Sequence, residues 1–346
     1  MRSLLQLAFA ACLLLAAAAS SLASEGGDGF LLDEADVREI TASELVAQPA
    51  RFAFPRGERL EYSIRYLGMP VATASLEVTR FIEWRGRRFA HVVGVGDTND
   101  FFSAFYPIHD RTEAWIDLDT LRTHRTSTWT RHGRDKETHE RTDFDWDAHF
   151  IRMVEDKKHR SRRREVGFDF GPFVHDTFDA FYAIRGLDLD EGRPAVIPVY
   201  ANNKVYSLKV EVNRRETIDW KGETVETMVV RPSSLLDGEP MGNGVGELHI
   251  PTEGRRAPLA LDGWFETPNG FRIGGVQATL VAYDPGDIGW PVAAPARIPV
   301  KNFQVETLEG QPVWEAPPAI RQVRETRGIE PYSKKTSLDV RGEPAR

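Results

Sequence analysis

From Arg59 onward apolar and polar residues alternate with period two. Leu60, Tyr62, Ile64 and Tyr66 fall on one side, Arg59, Glu61, Ser63 and Arg65 on the other. Successive side chains of a strand point to opposite faces, so this segment reads as a strand dry on one face and wet on the other. Gly68-Met69-Pro70 supplies a turn. Val71 to Val78 then returns with Ala72, Ala74, Leu76 and Val78 on one side, which makes the pair a hairpin. Further strands are predicted over 89–95, 112–117, 121–130, 141–146, 150–155 and 165–170, then over 195–201, 205–212, 224–230, 246–250, 257–262 and 272–281. Many short alternating strands between turns indicate an antiparallel sandwich or barrel. No long helices alternate with them, which argues against a doubly wound parallel sheet.

One helix interrupts the strands. Asp176 caps it, Val174, Phe178, Phe181 and Tyr182 recur at helical spacing, and Gly186 ends it. The predicted fold class is therefore mostly β: a large curved antiparallel sheet, partly barrel-like, with one short helix on its concave face and a Pro-rich tail.

Two internal echoes refine this. Ile82-Glu83-Trp84-Arg85-Gly86 resembles Ile218-Asp219-Trp220-Lys221-Gly222, and both read as hairpin connections. Asp100 to Ile108 matches Asp176 to Ile184 at six of nine positions, but Pro107 cuts the first segment short because proline blocks helix continuation. The two offsets differ, so no simple duplication follows.

The ends carry different patterns. Arg2 precedes an apolar run from Leu4 to Ala19, and Ser21-Leu22-Ala23 places small residues where a signal peptidase cuts. This reads as a secretory signal peptide over 1–23, with the mature chain starting at Ser24 in the periplasm or outside the cell. The lone cysteine, Cys12, lies inside the signal; Phe9-Ala10-Ala11-Cys12 is a poor lipidation site, and the apolar run continues past it. The mature chain thus has no disulfide, thiolate metal site or cysteine nucleophile. Residues 24–51 form a leader with a weak helix, where Thr41-Ala42-Ser43-Glu44 fits a capping box. The β-rich core spans 52–284. From 285 to 346 prolines and charges dominate, which reads as an extended or disordered tail in which Val300 to Val305 and Trp314 dock locally.

Loss of Arg2 with the signal takes the formal net charge from −8 to −9. That acidic balance and the export signal argue against a nucleic-acid partner.

The core pattern resembles an uncharacterised family of bacterial exported proteins, domain of unknown function 3108. The carrying residues are Phe54-Pro55-Arg56-Gly57-Glu58-Arg59-Leu60-Glu61-Tyr62, Gly68-Met69-Pro70-Val71-Ala72 and Phe102-Ser103-Ala104-Phe105-Tyr106-Pro107-Ile108-His109-Asp110-Arg111. His175-Asp176, Tyr182-Ala183-Ile184-Arg185, Ala257-Pro258-Leu259 and Gly275-Val276-Gln277-Ala278-Thr279-Leu280 complete the match, over roughly 52 to 284. The family usually has a Trp in the strand before Pro258, where this chain reads Gly246-Glu247-Leu248-His249-Ile250. The resemblance implies an exported, mostly β protein and brings no activity with it.

Candidate chemistry is sparse. His109-Asp110 and His175-Asp176 are pairs able to ligate a metal or to act as base and orienter, provided that the two histidines meet in space. The structural alternative gives Asp176 to the helix cap and Asp110-Arg111 to an ion pair at a strand start. No nucleophile elbow, phosphate loop or His-Glu-x-x-His motif occurs. Gly242-Asn243-Gly244-Val245-Gly246 lies between strands and reads as a hairpin. Lys157, Lys158, Arg160, Arg162, Arg163 and Arg164 form a dense basic run, read either as a solvated loop tip or as a contact for anionic lipid headgroups or acidic glycans. Phe102, Phe105, Phe178, Phe181 and Tyr182 read either as core or as the lining of an apolar cavity. The expectation is an exported periplasmic protein without cofactor and without catalysis, binding an apolar or amphiphilic envelope molecule or a partner protein. The alternatives are a metal-assisted hydrolase using the His-Asp pairs and a scaffold whose tail recruits a partner.

Overall fold

The computed structural model describes residues 37–39, 53–291 apart from short internal breaks, 305–308 and 311–314. The elements in chain order are β1 (Val37–Glu39), β2 (Ala53–Pro55), β3 (Arg59–Tyr66), β4 (Met69–Trp84), β5 (Arg87–Thr98), α1 (Asp100–Ser103), β6 (Ile108–Asp117), β7 (Thr123–His132), β8 (Glu137–Asp145), β9 (Phe150–Lys157) and β10 (Arg160–Gly167). Then follow α2 (Thr177–Gly186), β11 (Ala195–Ala201), β12 (Lys204–Trp220), β13 (Glu223–Leu236), β14 (Glu239–Pro240), β15 (Gly244–Pro251), β16 (Ala260–Glu266), β17 (Arg272–Asp284), β18 (Gly289–Pro291), β19 (Val305–Leu308) and β20 (Gln311–Trp314).

One sixteen-stranded sheet dominates, in the order β10-β9-β8-β7-β6-β5-β4-β3-β17-β16-β15-β13-β12-β11, with β1 added to β4 and β14 to β13. The chain's two halves meet where β17 pairs with β3, antiparallel like every ladder of the sheet. The free edges are then β10 and β11, and α2 lies between them in sequence. Among the described residues no β10–β11 ladder closes the sheet. The gap is filled instead by the segment entering α2. His175 N donates to Pro198 O at 2.8 Å, and Tyr200 N donates to His175 O at 2.7 Å. Val174 and Tyr200 pack with Phe144, Trp146 and Ile151 in a small cluster, so apolar side chains span the seam.

An isolated ten-residue helix is marginal in water, so α2 owes its stability to packing. Phe178, Ala180, Phe181, Tyr182 and Ile184 share one core with Val78, Val92 and Ile116 of the first half and Val210, Ile250 and Leu280 of the second. Both helix ends are complemented. Asp176 accepts hydrogen bonds from Phe178 N at 2.5 Å and Asp179 N at 2.9 Å. At the other end Arg256 donates to the carbonyls of Arg185 at 3.2 Å and Leu187 at 2.7 Å. Acceptors at the N-terminus and a cation at the C-terminus satisfy orphan backbone groups and oppose the helix dipole. Arg185 also grips Glu58 through two hydrogen bonds of 2.7 and 2.6 Å.

The predicted fold class is the observed one, and the first echo does sit in two hairpin turns, where Gly86 and Gly222 take positive φ. The second echo splits as Pro107 required: α1 is a single turn, whereas α2 has ten residues. One boundary needs correction. The basic run is not a loop: Lys157 ends β9 and Arg160 opens β10, with Arg162 opposite Glu155 across the ladder. Gly244 to Gly246 likewise belong to β15. The signal peptide, the cleavage site, Cys12, the capping box at Thr41 to Glu44, Gly242, Asn243 and most of the tail lie outside the described residues. Of the tail, β18 pairs with β2, and β19 pairs with β20, Val305 facing Trp314.

Candidate functional site

The His-Asp dipeptides do not form one site. His109 lies on the outer face of the sheet, its Nδ1 2.5 Å from Asp97. Asp110 lies on the inner face, where His132 Nε2 is 2.9 and 3.0 Å from its two oxygens. Arg111 points outward again and donates to Glu113 at 2.9 Å. The expected Asp110–Arg111 pair is therefore absent, because neighbours on a strand face opposite ways. His175 and Asp176 are buried at the entry to α2.

That entry holds a polar cluster. Asp179 accepts from Thr123 N at 3.1 Å, and its other oxygen lies 3.3 Å from His175 Nδ1. Burial pushes the Asp176 carboxyl well above its ordinary value, and the neighbouring Asp179 charge adds to this. Burial also raises Asp179, against the pull of His175. Asp179 is 0 % exposed and Asp176 3 %, so no substrate reaches these groups as the structure stands. Their partners are the α2 backbone, the start of β7 and each other. The cluster anchors the helix to the seam. Among the described residues no group of three or more His, Cys, Asp or Glu side chains is arranged to hold a metal ion.

The five aromatics predicted to line one space divide into two sets. Phe178, Phe181 and Tyr182 are buried in the core. Arg185 lies over the rings of Phe181 and Tyr182 at 5.5 and 5.2 Å. Phe102 is half-buried against the same core, while Phe105 is 76 % exposed. Phe101, 67 % exposed, stands 5.5 Å from Phe105 and 5.2 Å from Phe102. Asn99 holds this aromatic turn against the β3–β4 turn by donating to Pro70 O at 2.7 Å. Leu67 and Met69 are exposed in that turn as well. The end of the sheet thus carries an apolar rim.

Between rim and helix the inner face changes character row by row. Val78, Val92, Ala114, Thr126 and Thr142 are successive ladder partners across β4 to β8. The apolar members of this row are sealed at 0 % exposure. The next row toward the rim is Leu76, Gly94, Thr112, Thr128 and Glu140, and all five are half-buried. A Cβ on Gly94 would lie 2.9 Å from the Phe178 ring, which places this row on the concave side, at the margin of the helix. The third row is Ala74, Gly96, Asp110, Thr130 and Thr138. Each row runs from aliphatic on β4 to hydroxyl on β7, with carboxylates at Asp110 on β6 and Glu140 on β8. Thr112 and Thr128 join their hydroxyls at 3.1 Å. The helix therefore covers one part of the concave face and leaves beside it a strip of half-buried residues, the cup. Its walls are apolar on one side (Tyr66, Ala74, Leu76, Phe102) and polar on the other (Thr112, Thr128, Asp110, His132, Glu140). The sequence reading missed this cup. Its one trace is the spacing Thr126, Thr128, Thr130 in a strand whose outer face is also polar.

This is an open, helix-plugged antiparallel shell. The chain belongs to the family described as protein of unknown function (DUF3108), whose model matches residues 61–269. Among solved structures it is similar to a β-barrel-like protein of domain of unknown function DUF1849 from Brucella abortus, at 10% identity and TM-score 0.45, over 68% of this chain and 100% of that one. A candidate lipoprotein from Parabacteroides distasonis matches at 9% identity and TM-score 0.30, over 68% and 98%. A candidate exported protein with a YmcC-like fold from Bacteroides fragilis matches at 11% and 0.27, over 67% and 99%. No curated protein matches the chain. Among the described residues no helix is long and apolar enough to cross a membrane.

Proposed function

We propose that this chain is an exported, non-catalytic binding protein of the cell envelope that holds an amphiphile in the cup beside α2. The carrying observation is the half-buried row Leu76, Gly94, Thr112, Thr128 and Glu140, which grades from apolar to polar across one concave surface. An apolar wall facing solvent loses area from water when a chain lies on it, worth about 25 cal/mol per Å². A polar wall opposite keeps a headgroup hydrogen-bonded and fixes the ligand's orientation. The exposed rim of Leu67, Met69, Phe101 and Phe105 supports the same reading, since clustered exposed hydrophobes mark contact surfaces. The His-Asp pairs support it too, because each has structural employment. An anionic envelope surface at the basic run of Lys157, Lys158, Arg160, Arg162, Arg163 and Arg164, and a protein partner at the tail, remain alternatives from the sequence.

The test is native mass spectrometry of the mature protein purified from its own periplasm. A co-purifying amphiphile that is lost in Leu76→Glu supports the reading. An unliganded protein that also fails to bind an added alkyl-chain probe overturns it.

A further inference from the structure

We infer that the end of the sheet carrying α1 is a membrane-docking surface, which seats the protein on a bilayer containing anionic lipid. This goes beyond the amphiphile reading and does not depend on it. Every ladder from β3 to β10 is antiparallel, so the β3–β4, β5–β6, β7–β8 and β9–β10 connections all emerge at one end. The other connections of this half emerge at the opposite end, and there Trp84, Leu118, Leu121 and Trp146 are buried. At the α1 end Leu67, Met69, Phe101 and Phe105 are each more than half exposed. Leu67 sharpens the contrast. It and Leu121 both take positive φ, 48° and 52°, a region disfavoured for residues with a Cβ. Burial of Leu121 in the core offsets that cost. Leu67 instead sits in solvent, in a two-residue hairpin turn before Gly68, where Asn-Gly is the favoured pair. Neither backbone preference nor packing accounts for a leucine there, whereas contact with an apolar medium does.

The turns that display these side chains are tied together. Asn99 joins α1 to the β3–β4 turn through Pro70 O, Gly133 N donates to Pro107 O at 2.7 Å, and Leu67 N donates to Gly275 O at 2.9 Å. Charge selects the occupant. Arg65 is exposed and donates to Gly68 O at 3.1 Å, which holds a cation beside Leu67. Lys157 and Arg160 are ladder partners at the last position before the β9–β10 connection, four strand spacings or about 19 Å along the rim from α1. Like charges directly opposite weaken a ladder, so this pair too is placed against local preference. Most acids at this end are engaged: Asp97 lies 2.5 Å from His109, Asp110 2.9 Å from His132 and Glu137 3.7 Å from Arg131. Asp100, exposed beside Phe101, works against docking. Apolar side chains at turn tips enter the boundary between headgroups and acyl chains, and flanking cations meet anionic headgroups, the two contributions that hold proteins at a bilayer surface.

Flotation of the mature full-length chain with vesicles of phosphatidylcholine, alone or with about one third phosphatidylglycerol, tests this. Mixed vesicles should bind about tenfold or more tighter than neutral ones, and the difference should shrink as salt rises. Phe101→Ser with Phe105→Ser should weaken binding to mixed vesicles by about tenfold or more, through lost apolar burial. Leu67→Asn should keep or raise the urea midpoint, because asparagine suits the turn, and still weaken vesicle binding several-fold. A generally damaged protein would lose both. Lys157→Glu with Arg160→Glu should remove the phosphatidylglycerol dependence, and Asp100→Asn should strengthen it. Equal binding to the two vesicle types, or binding to neither, overturns the inference, as does a wild-type dimer that the double Phe variant splits without any vesicle binding. An alkyl-chain probe bound in solution by a protein that ignores vesicles would overturn docking and leave the amphiphile reading intact. The wild-type comparison of the two vesicle types stands even where a variant fails to fold.

Discussion

Arg185 and Glu58 meet inside the shell in a two-pronged ion pair, with hydrogen bonds of 2.6 and 2.7 Å and both side chains at 0 % exposure. The pair ties the last turn of α2 to the residue just before β3, and Tyr283 on β17 donates to the same carboxylate at 3.3 Å. It thereby joins the helix to the junction of the two halves. Removing one partner leaves an uncompensated buried charge, which costs about 3–5 kcal/mol. Arg185→Met and Glu58→Leu should each lower stability by that amount in urea titrations. The double variant should recover most of the loss, because an apolar pair of similar volume needs no desolvation. A double variant as unstable as the sum of the singles would contradict this account.

Gly94 and Phe178 set how closely helix and sheet approach. A Cβ on Gly94 would stand 2.9 and 3.0 Å from two ring atoms of Phe178, closer than real Cβ contacts come. Gly94→Ala should therefore cost about 1–3 kcal/mol by overpacking. Adding Phe178→Leu should restore part of it. Two additive losses in a double-mutant cycle would show that the two sites do not touch.

How much of this the sequence discloses depends on whether one face of an element is dry. Leu60 to Tyr66 is legible because its apolar residues all point into the core. Thr123 to His132 carries hydroxyls on its inner face and Arg125, Trp129 and Arg131 on its outer face, so its alternation has no apolar phase and the cup stays hidden. The basic strand β10 was obscured in the same way, its arginines masking a ladder with β9. The helix was legible from its cap and aromatic spacing. The fates of its aromatics were not, since Asp100 to Ile108 has nearly the same pattern and leaves Phe105 in solvent. That difference is tertiary: α2 lies between the sheet edges, and α1 at the sheet's rim. Glu58 and Arg185 lie 127 positions apart, a distance over which no local pattern reports.

Asp176 offers a pH test. Its carboxyl is raised in the folded protein, first by burial and then by Asp179. In the unfolded chain an aspartate titrates near ~3.9. Below that pH both states hold the proton. As pH rises, the unfolded chain releases it while the folded chain retains it, so stability falls. Asparagine caps helices equally well and does not ionise. Asp176→Asn should thus gain on the wild type between pH 4 and pH 7, whereas Asp176→Ala should cost about 0.5–2 kcal/mol through the lost cap. Urea midpoints at the two pH values check this. An Asp176→Asn difference that does not change with pH would refute the buried-acid account.

Glu113 works in the opposite sense on the outer face. The His91 hydrogen bond at 3.0 Å, with Arg111 in support, overcomes partial burial and holds the Glu113 carboxyl down to about 2. A depressed acid stabilises the fold fully above its unfolded value, near ~4.3, and loses that contribution as pH falls through the folded value. Wild-type stability should therefore decline from about pH 5 toward pH 2 more steeply than that of Glu113→Gln. Parallel acid titrations of the two proteins, followed by tryptophan fluorescence, supply the measurement.

The rim provides the sharpest separation of folding from binding. Phe101 and Phe105 are 67 % and 76 % exposed, so they contribute little buried area to the fold. Surface substitutions outside caps and buried networks usually stay within about 0.5 kcal/mol. Phe101→Ser with Phe105→Ser should thus leave the unfolding midpoint unchanged, as long as Asn99 still accepts from Phe102 N to start the turn. If the rim receives the apolar end of an amphiphile before it reaches Leu76, the same double variant should slow uptake of a fluorescent alkyl probe several-fold. The core substitution Phe181→Ala should do the reverse. It should cost about 3–5 kcal/mol, because the ring is only 7 % exposed and packs against Tyr182 at 5.4 Å. Stopped-flow uptake and urea unfolding on the same preparations give both quantities. Uptake at the wild-type rate in the rim variant would remove the rim from the binding path. A stability loss in the rim variant comparable to that of Phe181→Ala would mean that these two phenylalanines serve the fold instead.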